Sequence, residues 1–380
     1  MDESRITTVI VDTSAFYIAD SDFLGINSEL LPSFFAALAE KNILLLTHPV
    51  LDGEIQKHIP DSPLVGTQNK IARLLSNNEN LLKYAGCYDE ELINKIKAVD
   101  IKDGLYKKYL DIYGNAEILK YPNWESVFAK YFNAIPPFSE TGKKKREFPD
   151  AVIIESVKMY MDEHVNDILL VVSSDNDWKA AFDNYENVQV VDSIENAIKL
   201  VNAVDCVLSK EMMEEIFDAS CEEIKTKLES ILEGESYDVS EYEFEEEFEM
   251  ESVKISDIGD TFVPLKISRD QILIQIEADI QVSGSGLIID EDRSYWDREE
   301  SCYCVMELAN LRVKTAGATV KAEILIKFDF DNPSDIDVVK AKLINNWNID
   351  LDLKDYDICP LFRDDDKYDQ YDALEGHLPN

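Results

Sequence analysis

The sequence predicts an α/β fold, a parallel sheet flanked by helices with a long helical insertion, followed by a C-terminal, mainly antiparallel β domain. Three observations predict it. Short, continuously apolar, β-branched runs alternate with helical patterns through the first 200 residues, as strands buried on both faces do. Between the second and third of these runs, residues 65–134 are helical in pattern. Beyond residue 250, apolar and polar residues alternate in runs broken by Gly, Asn and Asp.

Residues 6–11 read as a buried strand ending at Asp12, and residues 28–40 as an amphipathic helix with Ser28 as its cap. Residues 42–47 form a second buried strand, and a helix over 49–58 carries Glu54. The helical insertion is broken near 77–80 and at Gly86, Gly114 and Pro122. A Pro-Pro and Lys-rich loop over 135–147 leads into a helix over 148–164 with Asp150 in its opening turn. Residues 167–173 and 188–191 are the third and fourth strands, with a short helix over 177–185 between them. Residues 193–232 are helical again. Residues 233–251 then hold ten acids and no base; alternation of Tyr or Phe with Glu favours an edge strand there over an acidic linker. Strands follow at 271–282, 302–315, 319–330 and 337–352. The expected organisation is a sheet domain over 1–205, a helical connector and acidic segment over 206–251, a β domain over 252–362 and a mobile acidic tail over 363–380.

Composition narrows the function classes. No run approaches the ~20 apolar residues of a membrane span, and the N-terminus has a strand pattern where a signal peptide would stand, so a cytoplasmic protein without a membrane partner is expected. Six scattered cysteines fit reduced thiols; Cys302 and Cys304 share one face of a strand but lack the second pair a metal site needs. The net charge is −40, of which −12 falls in residues 1–200 and −28 in residues 201–380. Such a balance repels nucleic acid. The repulsive excess sits in the second half, and the first half holds the basic run Lys143-Lys144-Lys145-Arg146, four residues before Asp150, with Lys102, Lys107 and Lys108 as a second patch.

The chemistry lies in four acids at strand ends and helix starts: Asp12, Glu54, Asp150 and Asp175. In a parallel sheet the ligand crevice lies at the carboxyl ends of the strands, so residues far apart in sequence can converge there. Carboxylates gathered on Mg²⁺ or Mn²⁺ neutralise a phosphate and deprotonate water, which is what phosphodiester hydrolysis requires. Each acid alone also suits a helix cap. Thr13 and Ser14 beside Asp12, and Ser173 and Ser174 beside Asp175, can orient the carboxylates, and Asp177 can add a further ligand. Close carboxylates repel, so one of them should hold a proton when no metal is bound. Rival schemes fail on residues: a phosphoaspartyl enzyme needs Asp where Ser14 stands, an adhesion-type site needs Ser where Phe16 stands, and no Walker loop occurs. His48 and His58 have no nucleophile to pair with. Tyr106, Tyr109 and Tyr113, at helical spacing, read as core.

With Val-Ile-Val-Asp-Thr-Ser-Ala-Phe16, Glu54 after the second strand, Phe-Pro-Asp-Ala151 and Ser-Ser-Asp-Asn-Asp-Trp178, residues 6–205 resemble the PIN-domain nucleases. The resemblance is to larger bacterial members with an added C-terminal domain, some of them in phage-defence settings; other members are toxins and RNA-processing enzymes. It implies a metal-dependent endoribonuclease. Asp12, Glu54, Asp150, Asp175 and Asp177 would be catalytic, and Asp12, Asp150 and Asp175 would hold Mg²⁺ or Mn²⁺. Single-stranded RNA is the implied substrate, with DNA an open alternative, and Lys143, Lys144, Lys145 and Arg146 are the candidate phosphate contacts. Asp52 stands two residues from Glu54 as a rival. The acidic second half points to a basic protein partner, and further copies of the chain could also associate. In the opposing reading the whole chain is a quiet acidic scaffold or a mimic of nucleic-acid charge.

Overall fold

The computed structural model describes residues 5–135, 137–138, 148–242, 244, 248–290, 293–297, 302–305, 307–344 and 348–361. The chain divides into two compact units, one of Met1–Met213 with Val263–Ile274 and one of Glu214–Phe262 with Gln275–Asn380.

The first unit follows the order β1 (Thr8–Val11), α1 (Thr13–Ile18), α2 (Leu30–Glu40), β2 (Leu44–Thr47), α3 (Pro49–His58), then α4 (Pro63–Asn77), α5 (Glu79–Tyr84), α6 (Glu90–Ala98) and α7 (Ile101–Tyr113). It continues through β3 (Glu117–Ile118), α8 (Trp124–Phe132), α9 (Phe148–Glu163), β4 (Leu169–Val172), α10 (Asn176–Phe182), β5 (Val188–Val191) and α11 (Ile194–Ala203). Five parallel strands form one sheet in the order β3-β2-β1-β4-β5. The insertion is not all helical, as its sequence pattern suggests: β3 adds to the sheet edge beside β2, pairing Leu46 with Glu117 and Thr47 with Ile118.

Burial explains the apolar runs. Every residue of β1 and of β4 is buried. Because strand side chains alternate between faces, Val9, Val11, Leu170 and Val172 enter one core while Ile10, Leu46, Leu169 and Val171 enter another. The first core takes in the insertion through Leu105, Tyr109 and Tyr113, so the tyrosines of α7 are structural. Phe16 of α1 meets Phe23, Phe35 and Tyr113 at ring separations of 5.1, 6.3 and 6.5 Å. Gly86 ends α5 with a φ of +72°, a left-handed conformation that costs glycine little.

A hairpin from later in the chain completes this unit. It pairs β8 (Val263–Ile267) with the start of β9 (Gln271–Ile289). Leu265 enters the first core, Asn202 of α11 donates to the Pro264 carbonyl at 2.7 Å, and Lys266 meets Glu29 at 2.8 Å.

The second unit takes most of α12 (Lys210–Leu232), β6 (Tyr237–Asp238), β7 (Glu249–Ile258), the rest of β9, β10 (Tyr295–Asp297), β11 (Cys302–Val305), β12 (Leu308–Asp329), β13 (Asn332–Leu343), β14 (Ile349–Asp350) and β15 (Asp352–Pro360). Its main sheet runs β13-β12-β9-β7, with β15 pairing the first half of β12, and the pairs β12–β13, β12–β15 and β7–β9 are antiparallel. Ile276, Ala278, Ile280 and Val282 are buried while Glu277, Asp279 and Gln281 face outward, the period of two that the sequence shows. The buried stripe Phe217, Ser220, Ile224, Leu228 of α12 lies on that sheet, and Glu229 accepts the Ile255 amide at 2.9 Å.

Among the described residues of the acidic stretch 233–251, the structure has β6, one isolated bridge from Phe244 to Ile288, and the first residues of β7. Its phenylalanines have a specific task. Phe248 and Phe244 lie over Gly284 and Gly286 of β9, where an added Cβ would stand 2.6 Å from each ring. The expected mobile tail, 363–380, lies outside the described residues, as do the side chains of Cys302 and Cys304.

Candidate functional site

Strands β1 and β4 are neighbours whose outgoing connections run to opposite sides of the sheet, β1 toward β2 and β4 toward β5. A crevice opens at the carboxyl ends of such a pair. Asp12 follows β1 directly, its amide bonded to the Val172 carbonyl at 2.9 Å, and Ser173 follows β4.

Asp12 occupies the cap position of α1 in extended conformation, yet its side chain makes no capping bond. It is only 4% exposed. Its Oδ2 instead accepts the Ser14 hydroxyl at 2.5 Å and the Ser173 hydroxyl at 2.8 Å. A buried carboxylate needs such donors, and hydroxyl bonds to a charged oxygen are short and strong. The network extends outward: Ser14 Oγ accepts the Ser174 amide at 3.2 Å, and Ser173 Oγ accepts the Asp175 amide at 3.1 Å.

Glu54 comes from the second turn of α3. Thr13 Oγ1 donates to its Oε2 at 3.2 Å. Burial raises the Glu54 carboxyl above its ordinary range; the Thr13 bond opposes the rise, the negative charge of Asp12 adds to it and Lys57 subtracts. The Glu54 carboxyl thus takes up a proton more readily than an ordinary glutamate. Its rival Asp52 turns elsewhere, accepting from Gln56 at 3.3 Å.

Asp175 behaves as a helix cap. Its Oδ1 accepts the Asp177 amide at 2.8 Å at the start of α10, and Asp177 is buried in that first turn. Replacing Asp175 with Ala should therefore cost about 1 kcal/mol of stability through the lost cap, whereas Asn, an equally good cap, should cost little. Urea denaturation of the two variants checks this. Asp150 sits half-buried in the first turn of α9. Helix α9 leads into the amino end of β4, so its own first turn lies at the carboxyl edge with the other acids. Lys143, Lys144, Lys145 and Arg146 lie outside the described residues.

Hydrogen bonds thus join Asp12, Ser14, Ser173, Ser174 and Asp175 with Asp177, while Thr13 and the field of Asp12 connect Glu54. Asp150 shares the edge by topology. The donors are all hard oxygens, the type that suits Mg²⁺ or Mn²⁺. Among the described residues, however, no three His, Cys, Asp or Glu side chains are gathered closely enough to hold a metal ion.

Tyr17 is an unforeseen neighbour. Burial raises its phenol, with the charges of Asp61 and Glu54 adding, and its ring meets His58 at 4.8 Å. The signal was present in the sequence, since Thr13 and Tyr17 are four apart and share one face of α1. His48 is fully buried and caps α3, its Nδ1 accepting the Val50 amide at 3.1 Å. Burial lowers its pKa. The unfolded imidazole titrates near ~6.5, so the unfolded state takes up more protons just below that pH. Stability from His48 is complete above that value and is lost as pH falls toward the lower folded pKa. Asn at position 48 keeps a cap without titrating. The wild-type protein should lose more stability than His48→Asn between pH 7 and 5 in paired urea titrations.

No helix among the described residues is long and apolar enough to cross a membrane. No curated protein and no solved structure matches the chain. Residues 9–178 match the family model described as PIN domain. That span runs from β1 to Trp178 of α10 and takes in Asp12, Glu54, Asp150, Asp175 and the insertion between them. Over this segment, a little under half of its length, the chain is similar to the PIN-domain family.

Proposed function

We propose that the chain is a metal-dependent endoribonuclease that hydrolyses phosphodiester bonds of single-stranded RNA at the carboxyl edge of its parallel sheet. One observation carries the reading. Asp12, at the strand switch point, is buried, is spared from helix capping, and is fixed by hydroxyls that follow two different strands. The match of residues 9–178 to the PIN domain, a nuclease family, supports it.

Bound Mg²⁺ or Mn²⁺, held by Asp12, Asp150 and Asp175, would supply the charge neutralisation and the deprotonated water that the reaction needs. The chain's own residues prepare that edge. Ser14 and Ser173 hold the Asp12 carboxylate in one orientation, and Thr13 does the same for Glu54. Burial raises the Glu54 carboxyl above its ordinary range, with the charge of Asp12 adding to the rise, and a bound cation would favour its charged form. Asp175 has one oxygen committed to the Asp177 amide, which fixes the direction of the other.

The test is cleavage of labelled single-stranded RNA, single-stranded DNA and duplexes by purified protein, with Mg²⁺ or Mn²⁺ and with EDTA. Cation-dependent scission of the RNA, lost in EDTA, is the expected result. A second reading, a quiet acidic module that engages a basic protein, is favoured by the lack of three gathered metal-binding side chains among the described residues. The charge of −28 over residues 201–380 suits such a partner in either reading, including a toxin or phage-defence setting. Protein that is silent on every substrate with both cations, wild type and Asp12→Asn alike, would leave that second reading standing.

A further inference from the structure

Helix α8 breaks the usual pattern of a surface helix. Its inward face is ordinary: Val127 is fully buried and packs with Phe138, Ala151 and Val152, with Tyr131 and Phe148 against them. The adjoining outward face should be polar. Instead Trp124, Phe128 and Phe132, spaced four apart, are 48%, 45% and 78% exposed. Tyr121, just before the helix, is 51% exposed and stacks on Trp124 at 6.1 Å with an interplanar angle of 24°. Phe128 and Phe132 stack at 6.4 Å and 28°.

Two members of this row, Tyr121 and Phe128, meet residues at the carboxyl edge of the sheet. Tyr121 meets His48, the residue after β2, at 4.7 Å, and Phe128 meets Phe148 at 5.8 Å. Phe148 is two residues from Asp150 in the first turn of α9.

We infer that the aromatic row Tyr121, Trp124, Phe128 and Phe132 is a stacking platform for the unstacked bases of a single-stranded nucleic acid. The inference rests on the nuclease reading above and names the substrate class of that same edge. A polymer cut beside Asp150 must continue across a neighbouring surface, and this row adjoins that helix turn through the Phe128–Phe148 contact. Rings about 6 Å apart suit bases splayed along an extended strand, and every base has a face to stack regardless of sequence. The net charge of −40 opposes a polyanion overall, with −28 of it in residues 201–380, so single-strand binding here has to come from the rings rather than from general electrostatics. In sequence, the segment joining α8 to Phe148 also contains the four consecutive cations 143–146, which suits an anionic occupant over an acidic one.

The experiment is fluorescence anisotropy with full-length Asp12→Asn protein, in EDTA and again in Ca²⁺. The probes are a fluorescein-labelled 12-mer of uridine, the matching thymidine 12-mer and a blunt duplex of mixed sequence. Either single strand should bind at least about tenfold tighter than the duplex, since paired bases cannot stack on protein. The two single strands report whether sugar identity matters. Trp124→Ala and Phe128→Ala should each weaken single-strand binding about tenfold, with Trp124→Phe retaining most of it and circular dichroism unchanged. The logarithm of the affinity should fall with a slope shallower than about −2 against log salt, since few phosphates are contacted. Three results overturn the inference: duplex binding equal to single-strand binding, ring variants that bind like the parent, or no oligonucleotide binding in either buffer. Loss of a co-purifying protein in Trp124→Ala, with oligonucleotide affinity unchanged, overturns it in favour of a protein partner. Ring-dependent binding without any cation-dependent cleavage by the wild type removes the nuclease reading and leaves the platform.

Discussion

Asp12→Asn should reduce cation-dependent RNA cleavage by more than about a hundredfold while leaving the fold intact. Groups that merely orient a metal ligand cost about 10–100-fold when removed, and Asp12 is the residue that Ser14 and Ser173 orient. The substitution is nearly isosteric. An amide oxygen can still accept both hydroxyls, so the network around it persists while the negative charge disappears. A second measurement separates lost chemistry from lost structure. Millimolar Mn²⁺ should raise the melting temperature of the wild type, because a ligand that binds only the native state stabilises it. In Asp12→Asn that rise should largely vanish, with the metal-free melting temperature equal to or above that of the wild type. Full cleavage by the variant would end the metal-site proposal.

Phe16→Ala should cost about 3–5 kcal/mol of stability, the range for removing a buried phenylalanine ring. Phe16 is 2% exposed and contacts rings from three directions: Phe23 after α1, Phe35 on α2 and Tyr113 at the end of α7 within the insertion. The ring therefore ties the helix that follows Asp12 to the insertion. A urea midpoint shifted downward with an unchanged slope would show a plain loss of packing. Phe16→Leu should recover more than half of the loss, since much of the volume is refilled. Activity should fall in Phe16→Ala even where the protein remains folded, because α1 carries Thr13 and Ser14.

The legible parts of the fold were those with a strong local signature. Four apolar residues in a row, rich in β-branched types and set between helical patterns, read as a strand covered on both faces, and every residue of β1 and β4 is buried. Their ends therefore placed Asp12 and Ser173 at one edge before any coordinates. Strand β3 had no such signature: Glu117 and Ile118 are two residues within a helical stretch, too few to show a period. The hairpin 263–274 was equally silent, since pairing within it says nothing about which core Leu265 enters. At the site, the two roles open to an aspartate at a helix start were both legible, but not their assignment. Asp175 caps and Asp12 does not, a difference set by two hydroxyls on Asp12, one from Ser14 two residues on and one from Ser173 across 161 positions of sequence. The aromatic row on α8 was written in the sequence at spacing four. Its solvent exposure was not, because the same spacing on α7 leads Tyr109 and Tyr113 inward.

The two-residue strand β3 has a further effect on how this protein behaves in company. A sheet border normally offers unpaired amides and carbonyls to any passing chain, and long flat borders recruit partners into aggregates. Here the border beside β2 is closed by Glu117 and Ile118, both exposed, one of them charged, and the chain leaves again at once. So short a border gives an incoming strand almost nothing to zip against. A lengthy insertion thereby carries a blunt stop that keeps the parallel sheet from growing at that side.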